Sequence, residues 1–258
     1  MNIVVCLKQT FDTEAKIVLD STGKIDSAGV NLVINTYDEF AVEEALKLKE
    51  KFGGEVTIVS MGGDRVQEAI RTALAMGADQ AVLVNDPSIE YADEAVIADI
   101  LAKAVATISY DVILTGRMAV DDGSSQVGVR LAEALDIPSV SSILKLDIED
   151  SKATVTREID GGTEIIETTL PAVFTAQKGL NEPRYPSMMG IMKAKKKEIK
   201  VLTLADLGTS AADMAAKMNA PKFSLPSARK AGIKIAGEEA ADKAKELARL
   251  LREEAKVI

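Results

Sequence analysis

Short apolar runs and amphipathic stretches alternate through the first two-thirds of the chain. "NIVVCL", "EVTIVS", "QAVLV" and "DVILTG" are β-branched runs of strand length, and their lack of polar alternation predicts strands buried on both faces. Between them, "DEFAVEEALKLKEKF" sets Ala41, Ala45, Leu48 and Phe52 on one helical stripe with charges elsewhere. "DRVQEAIRTALAMG" repeats that spacing with Val66, Ile70 and Ala73, and Gly77 suits a helix C-terminal cap. "ADEAVIADILAKAVA" and "SQVGVRLAEAL" supply two further helices. Strand–helix–strand alternation with buried strands predicts an α/β fold: a doubly wound, mostly parallel, Rossmann-like sheet.

After Pro138 the pattern changes. "SSILKLDIE", "KATVTREI" and "TEIIETTLPAVFTA" are strand-like and separated by the turn signals "DS" and "DGG", which predicts an antiparallel extension of the sheet. Periodicity fades between residues 205 and 237, a stretch holding Pro221 and Pro226, so an extended arm is expected there. "EEAADKAKELARLLREEA" then reads as a helix with Ala240, Ala244, Leu247 and Leu251 on one face. Such a helix packs either on another chain or back on its own domain. The expected division is an α/β domain over residues 1–204 and an arm over 205–258.

Composition narrows the chemistry. The chain has 258 residues, 47% of them hydrophobic, enough for a sizeable core, and its net charge of −9 argues against generic nucleic-acid binding. With no histidine, His-based acid–base chemistry and His-containing zinc sites are excluded. The single Cys6 rules out a cysteine cluster or an internal disulfide and fits a reducing compartment. No metal site is expected. Lacking an apolar run of about 20 residues or a signal-peptide pattern, the protein is expected in the cytoplasm if its source is prokaryotic.

Ligands of a doubly wound sheet sit beyond the carboxyl ends of its strands. Residues 6–9, 35–38, 60–63 and 116–128 occupy such positions. The last, "GRMAVDDGSSQVG", leaves a strand at Gly116, turns at Gly123 and is expected to start a helix near Ser124 or Ser125. A helix start of this kind takes either an ordinary Asp or Ser cap or a phosphate. It carries neither GxGxxG nor GxxxxGK[ST]. Farther on, "NEPRYPSMMGIMKAKKKEIK" joins prolines, a methionine pair and a lysine cluster. The methionines suit either core or a docking surface, and the lysines either a solvated face or an acidic partner.

Several of these stretches together resemble one family. "VTREIDGGTEIIETTLPAVFTA" is similar to the signature of electron-transfer flavoprotein β subunits, and "GLNEPRYPSMMGIMKAKKK" to their recognition loop. "NTYDEFAVEEALKLKE", "IRTALAMGAD" and "GRMAVDDGSSQVG" resemble the family's early segments and nucleotide loop, in the same order along the chain. The resemblance implies a heterodimer with an α subunit that the C-terminal arm embraces. It also implies a redox FAD held mainly by α and a structural AMP in this chain, so that residues 1–204 would be a nucleotide-binding domain with a partner recognition loop at 180–197. The flavin then carries the chemistry, so no catalytic residue is expected. Electrons would arrive from flavin dehydrogenases, such as acyl-CoA dehydrogenases, and leave to a quinone reductase or another acceptor.

Carried over by position, the AMP pocket would use Cys6, Asn35, Thr36, Tyr37, Asp38 and Met61. It would also use Gly116, Arg117, Met118, Ala119, Val120, Asp121, Asp122, Gly123, Ser124, Ser125, Gln126 and Val127. Cys6 would be a buried wall residue rather than a redox thiol. The docking surface would centre on Met188, with Tyr185, Met189, Ile191, Met192, Lys193 and Lys196, while Glu158 would meet a partner arginine. Electron-bifurcating relatives, which oxidise NADH and hold a second FAD in place of AMP, carry Asp-Thr where this chain has "DDGSSQVG", and hydroxyl residues where it has Glu94 and Ile97. These departures favour the AMP form over the bifurcating enzyme, and both over a non-redox nucleotide-binding module. Thr36 stands where the family commonly has proline.

Overall fold

The computed structural model describes residues 1–89, 91–229 and 231–258. The chain order is β1 (Asn2–Cys6), β2 (Gln9–Phe11), β3 (Leu32–Ile34), α1 (Thr36–Phe52), β4 (Glu55–Met61), α2 (Val66–Met76), β5 (Gln80–Val84), α3 (Glu94–Val105), β6 (Val112–Gly116) and α4 (Val127–Ala134). There follow β7 (Ser139–Glu149), β8 (Lys152–Ile159), β9 (Gly162–Thr169), β10 (Ala172–Ala176), α5 (Met188–Ala194), β11 (Lys200–Leu202) and α6 (Ala240–Glu253). Nine strands form one sheet in the order β11-β5-β4-β1-β6-β10-β7-β8-β9. All pairings from β11 to β7 are parallel, and β8 and β9 add an antiparallel end. The α/β doubly wound reading therefore holds.

Alternation along β1 explains the two cores. Ile3 and Val5 point into an apolar layer completed by Ala41, Ala45 and Leu48 of α1 and by Ile70 and Ala73 of α2. Val4 and Cys6 point the other way, toward Val96, Ile100 and Leu101 of α3 and Leu131 of α4. After β1 the chain builds β4 and β5 on one side, then crosses to place β6 on the other. The gap between β1 and β6 is thus the point where strand order reverses, and a cleft opens there at the strands' carboxyl ends.

Four expectations need correction. Phe52 is 38% exposed rather than buried: α1 ends there, and Gly53 and Gly54 turn the chain toward β4, leaving the ring under the Lys51 ammonium at 4.8 Å. The run "TEIIETTLPAVFTA" is two strands. Pro171 separates them, and the second, β10, returns into the parallel core between β6 and β7 instead of extending the antiparallel end. Helix α4 starts at Val127, because Gly123 (φ 65°) and Ser125 (φ 55°) hold left-handed backbone that a helix cannot include. The methionine segment is not a loop at its tip but a short helix, α5, capped where the Ser187 side chain accepts from the Gly190 N–H.

The arm leaves the body at a defined point. One Asp93 carboxylate oxygen caps α3 by accepting the Val96 N–H, while the other accepts the Lys217 and Met218 N–H groups. Ala211, Met214 and Ala216 still pack on the second core. Beyond them α6 has no buried residue, so its apolar face does not fold back onto the chain's own core. Among the described residues no helix is long and apolar enough to cross a membrane.

Candidate functional site

A cavity of ≈ 210 Å³ occupies the cleft between β1 and β6. Cys6, Asn35, Asp38 and Met61 reach it, as do residues 116–119, Asp122 and residues 124–127. Of the positions singled out in the sequence, Thr36, Tyr37, Val120, Asp121 and Gly123 stand outside the lining. The residue-by-residue assignment left out Leu7, Lys8, Gly62 and Gly128, although all four fall in the strand-end segments, and sequence reading missed Thr115 and Leu101 altogether. Most adjoin a residue already singled out, and Leu101 follows Ile97 by one helical turn, so the inward stripe of α3 was the available signal. Ala92 and Ile97 complete that apolar wall.

The cavity is shaped by a polar knot beneath it. Asp38, in the first turn of α1, is buried. One of its oxygens accepts the Lys8 N–H at 2.7 Å, and the other accepts Asn35 Nδ2 at 3.0 Å and the Gly116 N–H at 2.9 Å. The same Asn35 amide donates to the Met118 carbonyl (2.9 Å), and its oxygen accepts the Val120 N–H (3.0 Å). Two side chains thereby join the end of β1, the start of α1 and the β6–α4 loop. Burial drives the Asp38 pKa up to about 7 against the pull of these three hydrogen bonds. Burial, with the nearby Asp38 charge, likewise pushes the Cys6 thiol up to about 12, so it stays protonated as a small wall group.

Glycine provides the remaining space. A Cβ on Gly116 would lie 2.2 Å from Asp38 Oδ1 and 2.8 Å from the Tyr37 carbonyl carbon. One on Gly128 would meet Thr115 Oγ1 at 2.6 Å. Close contact at Gly116 brings the loop onto the knot, and at Gly128 it seats α4 against the sheet. The Val127, Gly128 and Val129 N–H groups at the start of α4 have no acceptor within the helix, so they are available to an anion. On the facing side, Met61, Ile97 and Leu101 offer an apolar wall. This donor set and wall fit a mononucleotide, with phosphate at the helix start and base on the apolar side.

The segment after β10 forms a second feature. Arg184 donates from Nε to Glu43 Oε2 (2.8 Å), from Nη2 to Glu43 Oε1 (2.9 Å) and from Nη1 to Glu50 (2.5 Å). Asn181 donates to the Phe40 carbonyl and to Glu44. At the far end, Arg71 of α2 donates to the Ala194 carbonyl at 2.6 Å and to that of Lys197, and Lys197 donates to the Ala78 carbonyl. Gly190 lets α5 seat directly on α2, since a Cβ there would be 2.2 Å from the Ala75 carbonyl oxygen. Between these ties the chain presents Tyr185 (95% exposed), Met188 (78%), Met189 and Met192, with Ile191, Lys193 and Lys196 also exposed. The methionines are therefore not core. Glu158 is exposed on β8, toward the antiparallel end of the sheet, whereas α5 rests on α2 beside β4 and β5.

The electron transfer flavoprotein domain model matches residues 22–207, which span α1 to the short 3₁₀ turn at Ala205–Leu207. The chain is 49% identical over 259 residues to the electron transfer flavoprotein subunit beta of Bacillus subtilis, covering 100% of both sequences. It is 51% identical over 239 residues to that of Syntrophomonas wolfei, covering 92% of this chain and 91% of the relative. With the human protein of the same description it shares 40% over 256 residues, covering 97% and 99%. With the matched span covering the cleft from Asn35 onward and the methionine helix, and relatives aligned over nine-tenths or more of their length, the chain belongs to the electron transfer flavoprotein family, as a beta subunit.

Proposed function

We propose that this protein is the nucleotide-holding half of a heterodimeric electron carrier, with AMP in the β1–β6 cleft and a redox FAD shared with an α subunit. The cleft itself carries the reading: an apolar wall opposite an anion-ready helix start, set at the reversal point of a parallel sheet. Bound FAD would supply the one- and two-electron chemistry that the side chains lack. This chain's part is to hold nucleotide, to meet the α subunit through residues 205–258, and to present α5 to the donor. The arm's exposed Phe223, Leu225, Ile233 and Leu247 are consistent with a segment that is covered in a dimer. In the bifurcating alternative a second FAD would occupy the cleft. The wall of Ala92, just before α3, and of Ile97 and Leu101 on it offers no side-chain hydrogen bond to a pyrophosphate there, which favours AMP.

Electrons would enter from flavin dehydrogenases such as those acting on acyl-CoA and leave to a quinone reductase or another acceptor. Met188 is the proposed anchor, held out on a helix tied down at both ends, with Lys193 and Lys196 steering toward acidic surface and Glu158 meeting a partner arginine. Met188→Ala in the heterodimer should slow reduction by a dehydrogenase, by an amount equal to roughly 1–2 kcal/mol of lost association, while flavin content is unchanged. Stopped-flow reduction against donor concentration measures this. Unchanged kinetics would remove the anchor role.

A further inference from the structure

Lys8 falls in the strand-end segment 6–9 without having been assigned to the pocket, and it holds a fixed place in the cavity lining. It leaves the end of β1 with its own N–H anchored on Asp38. Its ammonium donates to Asp121 Oδ1 at 2.7 Å and to Asp122 Oδ2 at 2.8 Å. These adjacent carboxylates sit in the β6–α4 loop, six and five residues before α4. Asp122 also orders that loop, since its other oxygen accepts the Ser124 N–H at 2.9 Å. Asp121 accepts the Asp122 N–H at 2.9 Å. A loop aimed at an anion thus carries two negative charges, and unneutralised they would repel the ligand. Among the described residues, the one ammonium that bridges both is that of Lys8. Burial weakens its charge, but the two carboxylates more than offset this and hold its pKa above the usual lysine value.

We infer that Lys8 is a specificity-determining counter-ion: by holding the Asp121–Asp122 pair it lets the cleft select a nucleoside monophosphate over the uncharged nucleoside. The inference rests on the nucleotide reading of the cleft and assigns its preference for charge to a residue outside the helix start. Arg117 also lines the cavity but makes no ion pair with either carboxylate, so it does not duplicate this role.

The test uses the complete heterodimer freed of nucleotide and titrated calorimetrically with AMP and with adenosine. Lys8→Met should weaken AMP binding about ten-fold or more while adenosine binding changes less than about two-fold. Lys8→Arg should stay near the parent, and adding Asp121→Asn to Lys8→Met should restore much of the lost AMP affinity. A Lys8→Met variant that loses AMP and adenosine equally, or loses neither, overturns the inference while leaving the nucleotide site standing. A parent complex that binds neither compound overturns both.

Discussion

Gly116→Ala is expected to destabilise the protein by about 2–4 kcal/mol, as overpacking and a lost buried hydrogen bond act at one point. The added carbon would sit 2.2 Å from Asp38 Oδ1 and 2.8 Å from the Tyr37 backbone, and backbone cannot yield as a flexible side chain can. Relief requires the β6–α4 loop to rise, which stretches the 2.9 Å bond from the Gly116 N–H to Asp38 and moves the cleft rim. Melting of the purified complex should fall by roughly 5–10 °C, and bound nucleotide should be lost with it. Gly123→Ala is the control. Nothing lies within 4 Å of its added carbon, so only the left-handed backbone at φ 65° is strained, at about 1–2 kcal/mol. Equal costs at the two glycines would refute the packing account.

Asp38→Asn is expected to change how stability depends on pH. The folded carboxyl is pushed up to about 7 by burial, against 3.8 for an ordinary aspartate, so the folded state holds its proton more tightly than the unfolded chain. Stability from this group is fully present below about pH 4 and is lost as pH rises through 7. The advantage of the parent over Asp38→Asn should therefore shrink between pH 5 and pH 8, by up to roughly 2–3 kcal/mol for the part of the shift that lies in this window. An asparagine also turns an N–H₂ toward one of the three donors that Asp38 now accepts, so a buried bond is lost at every pH, at about 1–3 kcal/mol. Denaturation of both complexes across that range measures the trend. An advantage that grows with pH would mean that the three donors, not burial, control the carboxyl.

Much of the fold was legible because its parallel strands are short unbroken apolar runs, and its helices carry clear stripes. What escaped depended on tertiary context. β2 and β3 are three residues each, too short for a periodic signal, and β11 lies in the lysine-rich tail of the methionine segment. The return of β10 into the parallel core is a matter of strand order, which periodicity does not encode. The late start of α4 follows from left-handed backbone at Ser125, a residue type that gives little warning of it. In the cleft, loop positions were readable from the strand ends, Lys8 among them, yet the ion pairs of Lys8 were not. Its role comes from carboxylates 113 and 114 residues away, brought near only by the β1–β6 pairing. Exposure of the methionines was likewise undecidable in sequence, because a Met pair suits a core as well as a surface. It was settled by the ties of Arg184 and Arg71, which hold the segment outward.

The central claim is that this cleft holds a mononucleotide beside a single shared flavin. Its most direct test is a nucleotide inventory of the purified heterodimer after denaturation, by chromatography against standards. One FAD and one AMP per heterodimer is the predicted result. Two FAD and no AMP would contradict it, and would mean that the apolar α3 wall at Ile97 and Leu101 accommodates a second flavin nucleotide.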